Sequence, residues 1–228
     1  MSGKYQGQGI CDALIRSVSS QLTGYRHELI ELPQARIGLL LDRAEPMCFP
    51  CMIHKPEGES RALYSEPTHH YKSHGIITTS EKARLLRQRY GNNVSLSELF
   101  MDSHWRFGHP AGRRFGMLQP LIEQAEQHSR HSFALSGDQG PMAVMAMVAA
   151  DRLDFTIDYA MVLHYYNVHH QTQLELLPIL ELDQQKVAGA IGCTNNEWGQ
   201  QVTDAINVVL PQVKRDPDFN QALQLWMQ

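Results

Sequence analysis

The spacing of apolar residues predicts most of the helices. Ile10, Leu14, Val18 and Leu22 lie one helical turn apart, and Gly24 follows as a stop. Pro120 falls inside another such pattern, which predicts a kink or a late helix start there. The same spacing and capping signals predict further helices at 35–43, 81–90, from Ser95, 115–125, from Pro141, 161–167, 198–209 and 219–226.

Between these helices lie short β-prone runs. Strands are predicted at 27–32, 47–53, 75–79, 104–108, 132–135, 154–159, 174–182 and 186–193. The first part of the chain therefore follows an α-β-α-β order. The second part alternates β and α, which is typical of a mostly parallel sheet covered by helices.

The stretch from Arg61 to Ser80 joins these two parts. It contains an extended turn around Pro67 and then the strand 75–79, after which Thr78 and Glu81 can cap a helix. The chain of 228 residues is long enough for one large domain or two small lobes. We interpret this stretch as the first crossing between two lobes.

Charge and hydropathy narrow the function classes. The net charge is -4 and the isoelectric point is about 6.3, which argues against a nucleic-acid partner. The longest apolar run, Pro141–Ala150, is too short to span a bilayer. Because the chain opens on polar residues, no signal peptide is predicted, as in a cytosolic protein or a mature chain without its leader.

Four cysteines are present: Cys11, Cys48, Cys51 and Cys193. Three pairings are possible, and the spacing does not choose among them. Cys48-Phe-Pro-Cys51 has the spacing of a thioredoxin-type redox pair, but its flanks predict a strand and not the helix N-terminus that such a pair needs. A structural disulfide is favoured over a redox pair, and counting free thiols distinguishes the two.

Other candidate motifs are weak. Gly7-Gln8-Gly9 lacks the third glycine and the preceding strand of a dinucleotide site. Histidines at 69, 70, 74, 164, 169 and 170 lack cysteine or carboxylate at ligand intervals, so no metal or cofactor is expected. No catalytic motif is present, and the chain is expected not to be an enzyme.

Two arginines are candidates for binding an anion. Arg113 lies with Arg114 in a loop before a helix, where helix N-terminal donors and guanidinium groups can hold a carboxylate or phosphate. An exposed basic loop is the alternative. Arg36, shortly after Pro33, presents the same choice.

Three separated patterns together resemble one family. They are Gly7-x-Gly9-x-x-Asp12 with Pro33-x-x-Arg36, then Cys48 through Tyr64-Ser65-x-Pro67 to Gly75-Ile76-Ile77, and finally Gly192-Cys193-Thr194 with Trp198-Gly199. The sequence resembles the type 2 periplasmic solute-binding proteins of family 3, the amino-acid-binding branch. The resemblance covers nearly the whole chain in order.

The resemblance implies an α/β fold of two lobes joined by two crossing hinge strands. Lobe 1 would be residues 1–75 plus 183–228, and lobe 2 would be residues 76–182. It implies a periplasmic, monomeric protein that closes on a small polar ligand, amino-acid-like or another anion, and delivers it to the membrane subunits of an ABC transporter. A ligand-sensing receptor domain and a redox protein using Cys48 and Cys51 are the alternatives.

The resemblance also implies a ligand site, and this sequence differs from the family pattern at two positions of that site. Gly58 stands where the family has a carboxylate-binding arginine, with Arg61 displaced from it. Asp158 falls one place early for the aspartate that holds the ligand amino group, and Tyr159 takes that place. The predicted ligand-binding residues are Arg36, Tyr64, Ser65, Tyr71, Arg113, Asp158 and Tyr159. The implied fold also brings Cys48 and Cys193 together as a disulfide.

Overall fold

The computed structural model describes residues 7–30, 32, 34–54, 61–128, 131–136, 140–183 and 185–227. The elements, in chain order, are α1 (Ile10–Gln21), α2 (Gln34–Asp42), β1 (Cys48–Ile53), β2 (Ala62–Tyr64), β3 (His69–Lys72), β4 (Gly75–Thr79), α3 (Ser80–Tyr90), α4 (Leu96–Met101), β5 (Phe107–Pro110), α5 (Gln119–His128), β6 (Ser132–Leu135), α6 (Gly140–Ala149), β7 (Thr156–Asp158), α7 (Ala160–His170), β8 (Leu174–Pro178), β9 (Lys186–Thr194), α8 (Glu197–Val213) and α9 (Pro217–Trp226).

The chain divides into two compact units. The first unit comprises Met1–Tyr71 and Lys186–Met227, and the second comprises Lys72–Gln185. The chain therefore passes from one unit to the other twice, once after residue 71 and once after residue 185. No helix in the described ranges is both long enough and apolar enough to cross a membrane.

The first unit is built on a sheet with β9 at its centre. β9 is antiparallel to β1 and β2, in the order β1-β9-β2, and β3 also pairs with it. Every residue of β9 from Gly189 to Thr194 is buried, whereas β1 at the edge is half-buried. β9 thus supplies the core of this sheet.

Two disulfides fasten β1 to its neighbours. Cys48 pairs with Cys193 across β1 and β9, which is the pairing expected from the resemblance. Cys51 pairs with Cys11 of α1. The suggested link between Cys48 and Cys51, structural or redox, is therefore wrong, because each sulfur is bonded to a different partner.

The second unit contains a three-stranded and a two-stranded sheet. β4 lies between β7 and β8 and is antiparallel to both, while β5 and β6 are parallel. The expectation of a mostly parallel sheet is wrong here, because β4, the strand that enters this unit, runs opposite to the two strands that flank it.

β4 is buried on both faces. Ile76 packs into one apolar cluster, with Phe107, Phe155 and Leu177 among its members. Ile77 packs into another cluster around α6, with Val144 and Met145. Adjacent residues of a strand point to opposite faces, so the continuous run Ile76-Ile77 is what a strand between two layers requires.

Side-chain caps fix the helix starts. Thr79, and not the predicted Thr78, caps α3 by accepting from the Lys82 N–H at 3.4 Å. Thr78 is buried and instead donates to the Asp154 carbonyl at 2.6 Å. Ser95 caps α4 as its sequence predicts. α5 begins at Gln119, directly before Pro120, so the late start is confirmed.

The predicted strand 27–32 is absent from the described residues of that range. Residues 26–30 and 32 are not assigned to a strand, and Glu31 lies outside the described residues. In the described part of the chain, residues 26–30 make no backbone hydrogen bond. A β-prone sequence becomes a strand only beside a neighbour that satisfies its backbone groups, and no described strand is hydrogen-bonded to this segment.

Candidate functional site

The loop after β5 positions Arg113. Phe107–Pro110 is buried, and a turn follows in which the Arg113 N–H donates to the Pro110 carbonyl at 3.3 Å. Gly112 within this turn has a φ of 73°, a conformation that favours glycine. Phe115 then enters the core and anchors the loop.

Arg113 forms an ion pair with Asp158, the last residue of β7. Arg113 Nη2 donates to Asp158 Oδ1 at 2.5 Å, and the Tyr159 N–H donates to the same oxygen at 2.7 Å. The Asp158 side chain is 3% exposed and the Arg113 side chain is 20% exposed. Burial raises the pKa of Asp158, and the Arg113 charge and the Tyr159 N–H act in the opposite direction.

His74 completes this cluster. Its ring stacks on Tyr159 with the centroids 4.0 Å apart and lies 5.7 Å from the Phe115 ring. Burial, and next the nearby Arg113 charge, lower the pKa of His74 to about 4. The imidazole is therefore neutral at pH 7 and forms a flat wall beside the ion pair.

Both members of the ion pair keep unused bonding capacity. Among the described residues, no hydrogen bond reaches Asp158 Oδ2, and Arg113 donates only through Nη2. A carboxylate has two acceptor oxygens and a guanidinium has five donors. The pair can thus hold a ligand carboxylate at the guanidinium and a ligand ammonium at the free carboxylate oxygen without being broken.

Sequence reasoning named Arg113, Asp158 and Tyr159 and did not name His74 as a ligand residue. The structure brings all four together in the second unit. His74 was considered only as a metal ligand. Its position directly before the apolar run of β4 was the available signal, because the end of a buried strand also lies near the interior, and His74 is buried.

The predicted residues of the first unit serve mainly local structure. Ser65 is buried, its hydroxyl donates to the Glu66 carbonyl at 2.9 Å, and the Ile191 N–H donates to it at 3.0 Å. Tyr64 contacts His54 edge-on, and Tyr71 stacks on His69. Arg36 is exposed on α2. Tyr64 and Ser65 are adjacent in the chain, at the end of β2.

Arg61 is also held by a local partner. Its Nε and Nη2 donate to the two carboxylate oxygens of Asp42, each at 2.7 Å. A Cβ atom added at Gly38 of α2 would lie 2.8 Å from Arg61 Nη2. The guanidinium thus packs on the face of α2, and its ion pair with Asp42 holds it against that helix. Gly58, the position that matches the family arginine, lies outside the described residues.

The histidine-rich runs pack against aromatic rings. His169 stacks on Tyr165 and His170 packs on Tyr166, both along α7. Within the described ranges, no group of three or more histidine, cysteine, aspartate or glutamate residues is arranged to hold a metal ion.

Comparison with solved structures identifies the fold class. The chain has the two-lobed α/β fold of the periplasmic binding proteins, and the predicted fold class is confirmed. The matches cover 96% of this chain. No family model and no curated protein matches the sequence.

Three solved structures illustrate the likeness. A probable amino-acid ABC transporter extracellular-binding protein from Bacillus subtilis is 15% identical, with 87% of that chain covered and a TM-score of 0.65. A structure from a study of glutathione import through GshT and the cystine importer of Streptococcus mutans is 11% identical, with 85% covered and a TM-score of 0.70. A histidine kinase sensor domain is 12% identical, with 86% covered and a TM-score of 0.69.

Proposed function

We propose that this protein is an extracytoplasmic solute-binding protein that binds a small zwitterionic ligand of the amino-acid type. The observation that carries the proposal is the Arg113–Asp158 pair, in which each partner keeps a bonding position that no other described residue uses. A zwitterion can place its carboxylate against Arg113 and its ammonium group against Asp158, so that each ligand charge lies beside an opposite charge. A simple anion meets the buried Asp158 carboxylate as a like charge, and a simple cation meets Arg113.

The transport role is proposed from the fold. Similar structures include proteins named as parts of amino-acid ABC transporters, which supports delivery of the ligand to membrane subunits of such a transporter. The two disulfides support an oxidising compartment such as the periplasm. The likeness to a histidine kinase sensor domain supports ligand sensing as a second candidate.

Residues of the first unit are proposed to complete the site. Arg36 is an exposed cation on α2 and remains the proposed second contact for a ligand carboxylate. Ser65 keeps one acceptor lone pair on its hydroxyl, and Tyr64 and Tyr71 offer flat faces with polar tips.

Titration calorimetry of matched variants tests the site. The twenty protein amino acids are first screened one by one for a rise in melting temperature, and the amino acid with the largest effect becomes the probe. Arg113→Gln and Asp158→Asn should each weaken binding by at least tenfold, since truncating one partner of a buried charge pair costs roughly 2–5 kcal/mol. Arg36→Ala should weaken it less, because Arg36 is exposed.

Arg114→Gln is the control, because the Arg114 side chain is 81% exposed and lies in the same loop. It should leave the affinity unchanged. Circular dichroism of each variant establishes that it is folded. A probe that binds wild type and both site variants equally would show that the ligand site lies elsewhere, and the absence of any binding amino acid would overturn the proposed ligand class.

A further inference from the structure

Residues 26–30 form an exposed segment that belongs to no helix or strand. Leu29 is 71% exposed and Ile30 is 66% exposed. In the described part of the chain these residues make no backbone hydrogen bond. Extended segments with free N–H and C=O groups and exposed apolar side chains are templates for pairing with another strand.

The segment borders an apolar cavity of about 430 Å³ in the first unit. Leu22, Met47 and Val202 contribute to its lining, and so does Cys48 of the edge strand β1. Among the described strands, β1 pairs only with β9. Leu29 and Ile30 thus lie at the rim of this apolar cavity, and their side chains remain exposed.

The charges of the segment are self-complementary. Arg26 and Glu28 flank His27, are exposed, and make no ion pair within the described residues. In an antiparallel pair of identical strands centred on one residue, the residue before it faces the residue after it in the other copy. Centred on His27, Arg26 faces Glu28 of the second copy and Tyr25 faces Leu29 of the second copy.

We propose that residues 26–30 are a self-association surface, at which two copies of this chain pair antiparallel about a two-fold axis at His27. The pairing satisfies both backbones, forms two opposite-charge pairs and covers both copies of Leu29. Centring on Glu28 would instead place that carboxylate opposite itself. The His27 ring does not obstruct the axis, because its Nε2 is bonded to the Leu22 carbonyl of its own chain at 2.9 Å. This proposal departs from the monomer expected from the resemblance.

Sedimentation velocity of charge-reversal variants tests the pairing and its register. The wild-type chain should form dimers as its concentration rises. Arg26→Glu and Glu28→Arg should each weaken dimerisation about tenfold or more, because either change turns both opposite-charge pairs into like-charge pairs. The double variant Arg26→Glu/Glu28→Arg should dimerise again, because the pairs re-form with their signs exchanged.

Val208→Glu is the control, since Val208 is 74% exposed on α8 of the same unit and does not line the cavity. It should dimerise like wild type. Hydrogen exchange gives a second readout: the amides of residues 26–30 should become protected as the concentration rises. A wild-type monomer at all concentrations, failure of the double variant to regain dimerisation, or unchanged exchange at 26–30 in the dimer would each overturn the proposal.

Discussion

At the scale of single residues, His74 links the packing of the second unit to the charge of the site. Its neutral ring fills the space between Tyr159 and Phe115. Protonation would place a second cation beside the Arg113 guanidinium, in a buried environment that penalises charge. In its neutral form His74 thus packs against Tyr159 without adding a charge beside the Arg113–Asp158 pair.

This arrangement predicts a loss of stability in mild acid. The pKa of His74 is about 4 in the folded chain, against about 6.5 in an unfolded one. The unfolded state therefore binds more protons between these values, and the free energy of unfolding should fall as the pH drops from about 6.5 to 4. His69 in the first unit also has a pKa of about 4, from burial and then from His70, and contributes in the same direction.

Urea unfolding at pH 7 and pH 5, followed by fluorescence, checks this prediction. His74→Phe keeps a flat ring against Tyr159 but cannot be protonated, so its stability should depend less on pH than that of wild type. His69→Phe should do the same for the first unit. Equal pH dependence in wild type and both variants would show that neither histidine is held neutral by folding.

At the scale of elements, the start of α8 depends on a residue without a side chain. The Gly199 N–H donates to the capping oxygen of Asn196 at 2.8 Å. A Cβ atom at Gly199 would lie 1.8 Å from the carbonyl oxygen of Thr194, the last residue of β9. Only glycine permits this approach of helix and strand.

Gly199→Ala should therefore destabilise the protein by roughly 1–3 kcal/mol, as other overpacked sites do. Gly24→Ala is the matched control, because a Cβ atom there meets nothing within 4 Å. Thermal unfolding of the two variants measures the difference. If the Gly199 variant is as stable as the Gly24 variant, the junction of β9 and α8 is looser than described.

The two disulfides of β1 should contribute unequally to stability. Cys48–Cys193 spans 145 residues and Cys11–Cys51 spans 40. In the chain-entropy account, the longer loop is worth about 5 kcal/mol and the shorter about 4 kcal/mol. Replacing each pair with serine and measuring urea unfolding without reductant should give losses in that order. The reverse order would show that local packing around Cys11 dominates over loop entropy.

Local signals predicted the helices better than the strand pairing. Ser95 and Pro120 marked helix starts correctly, because capping and proline geometry act within one turn. The described residues of 27–32 form no strand, and the expectation of a mostly parallel sheet was wrong, because pairing depends on which distant segment lies alongside. Sequence shows that a segment is β-prone, but not whether it has a neighbour.

The candidate site was predicted as separate residues and not as a contact. Arg113 was chosen for its loop and Asp158 from the resemblance, and nothing in the sequence indicated that they form an ion pair. That contact depends on β5 and β7 being brought together, with Phe107 bridged to Phe155. The role of Ser65 between β2 and β9 could likewise not be predicted, because it depends on the hydrogen bond that the Ser65 hydroxyl accepts from the Ile191 N–H.

At the scale of the whole molecule, the chain builds two units, each with its own core, and passes twice between them. The first unit carries both disulfides, and the second carries the Arg113–Asp158 pair. In the proposed function the second unit provides the charged contacts with the ligand. The central claim is that this chain binds a small zwitterion through that pair.

Native mass spectrometry tests this claim most directly. The purified protein is incubated with an equimolar mixture of the twenty protein amino acids and then analysed without denaturation. We expect wild type to retain one molecule whose added mass identifies an amino acid, and Asp158→Asn to retain none while Arg114→Gln behaves like wild type. A wild-type protein that carries no added mass, or an Asp158→Asn variant that carries the same one, would contradict the account.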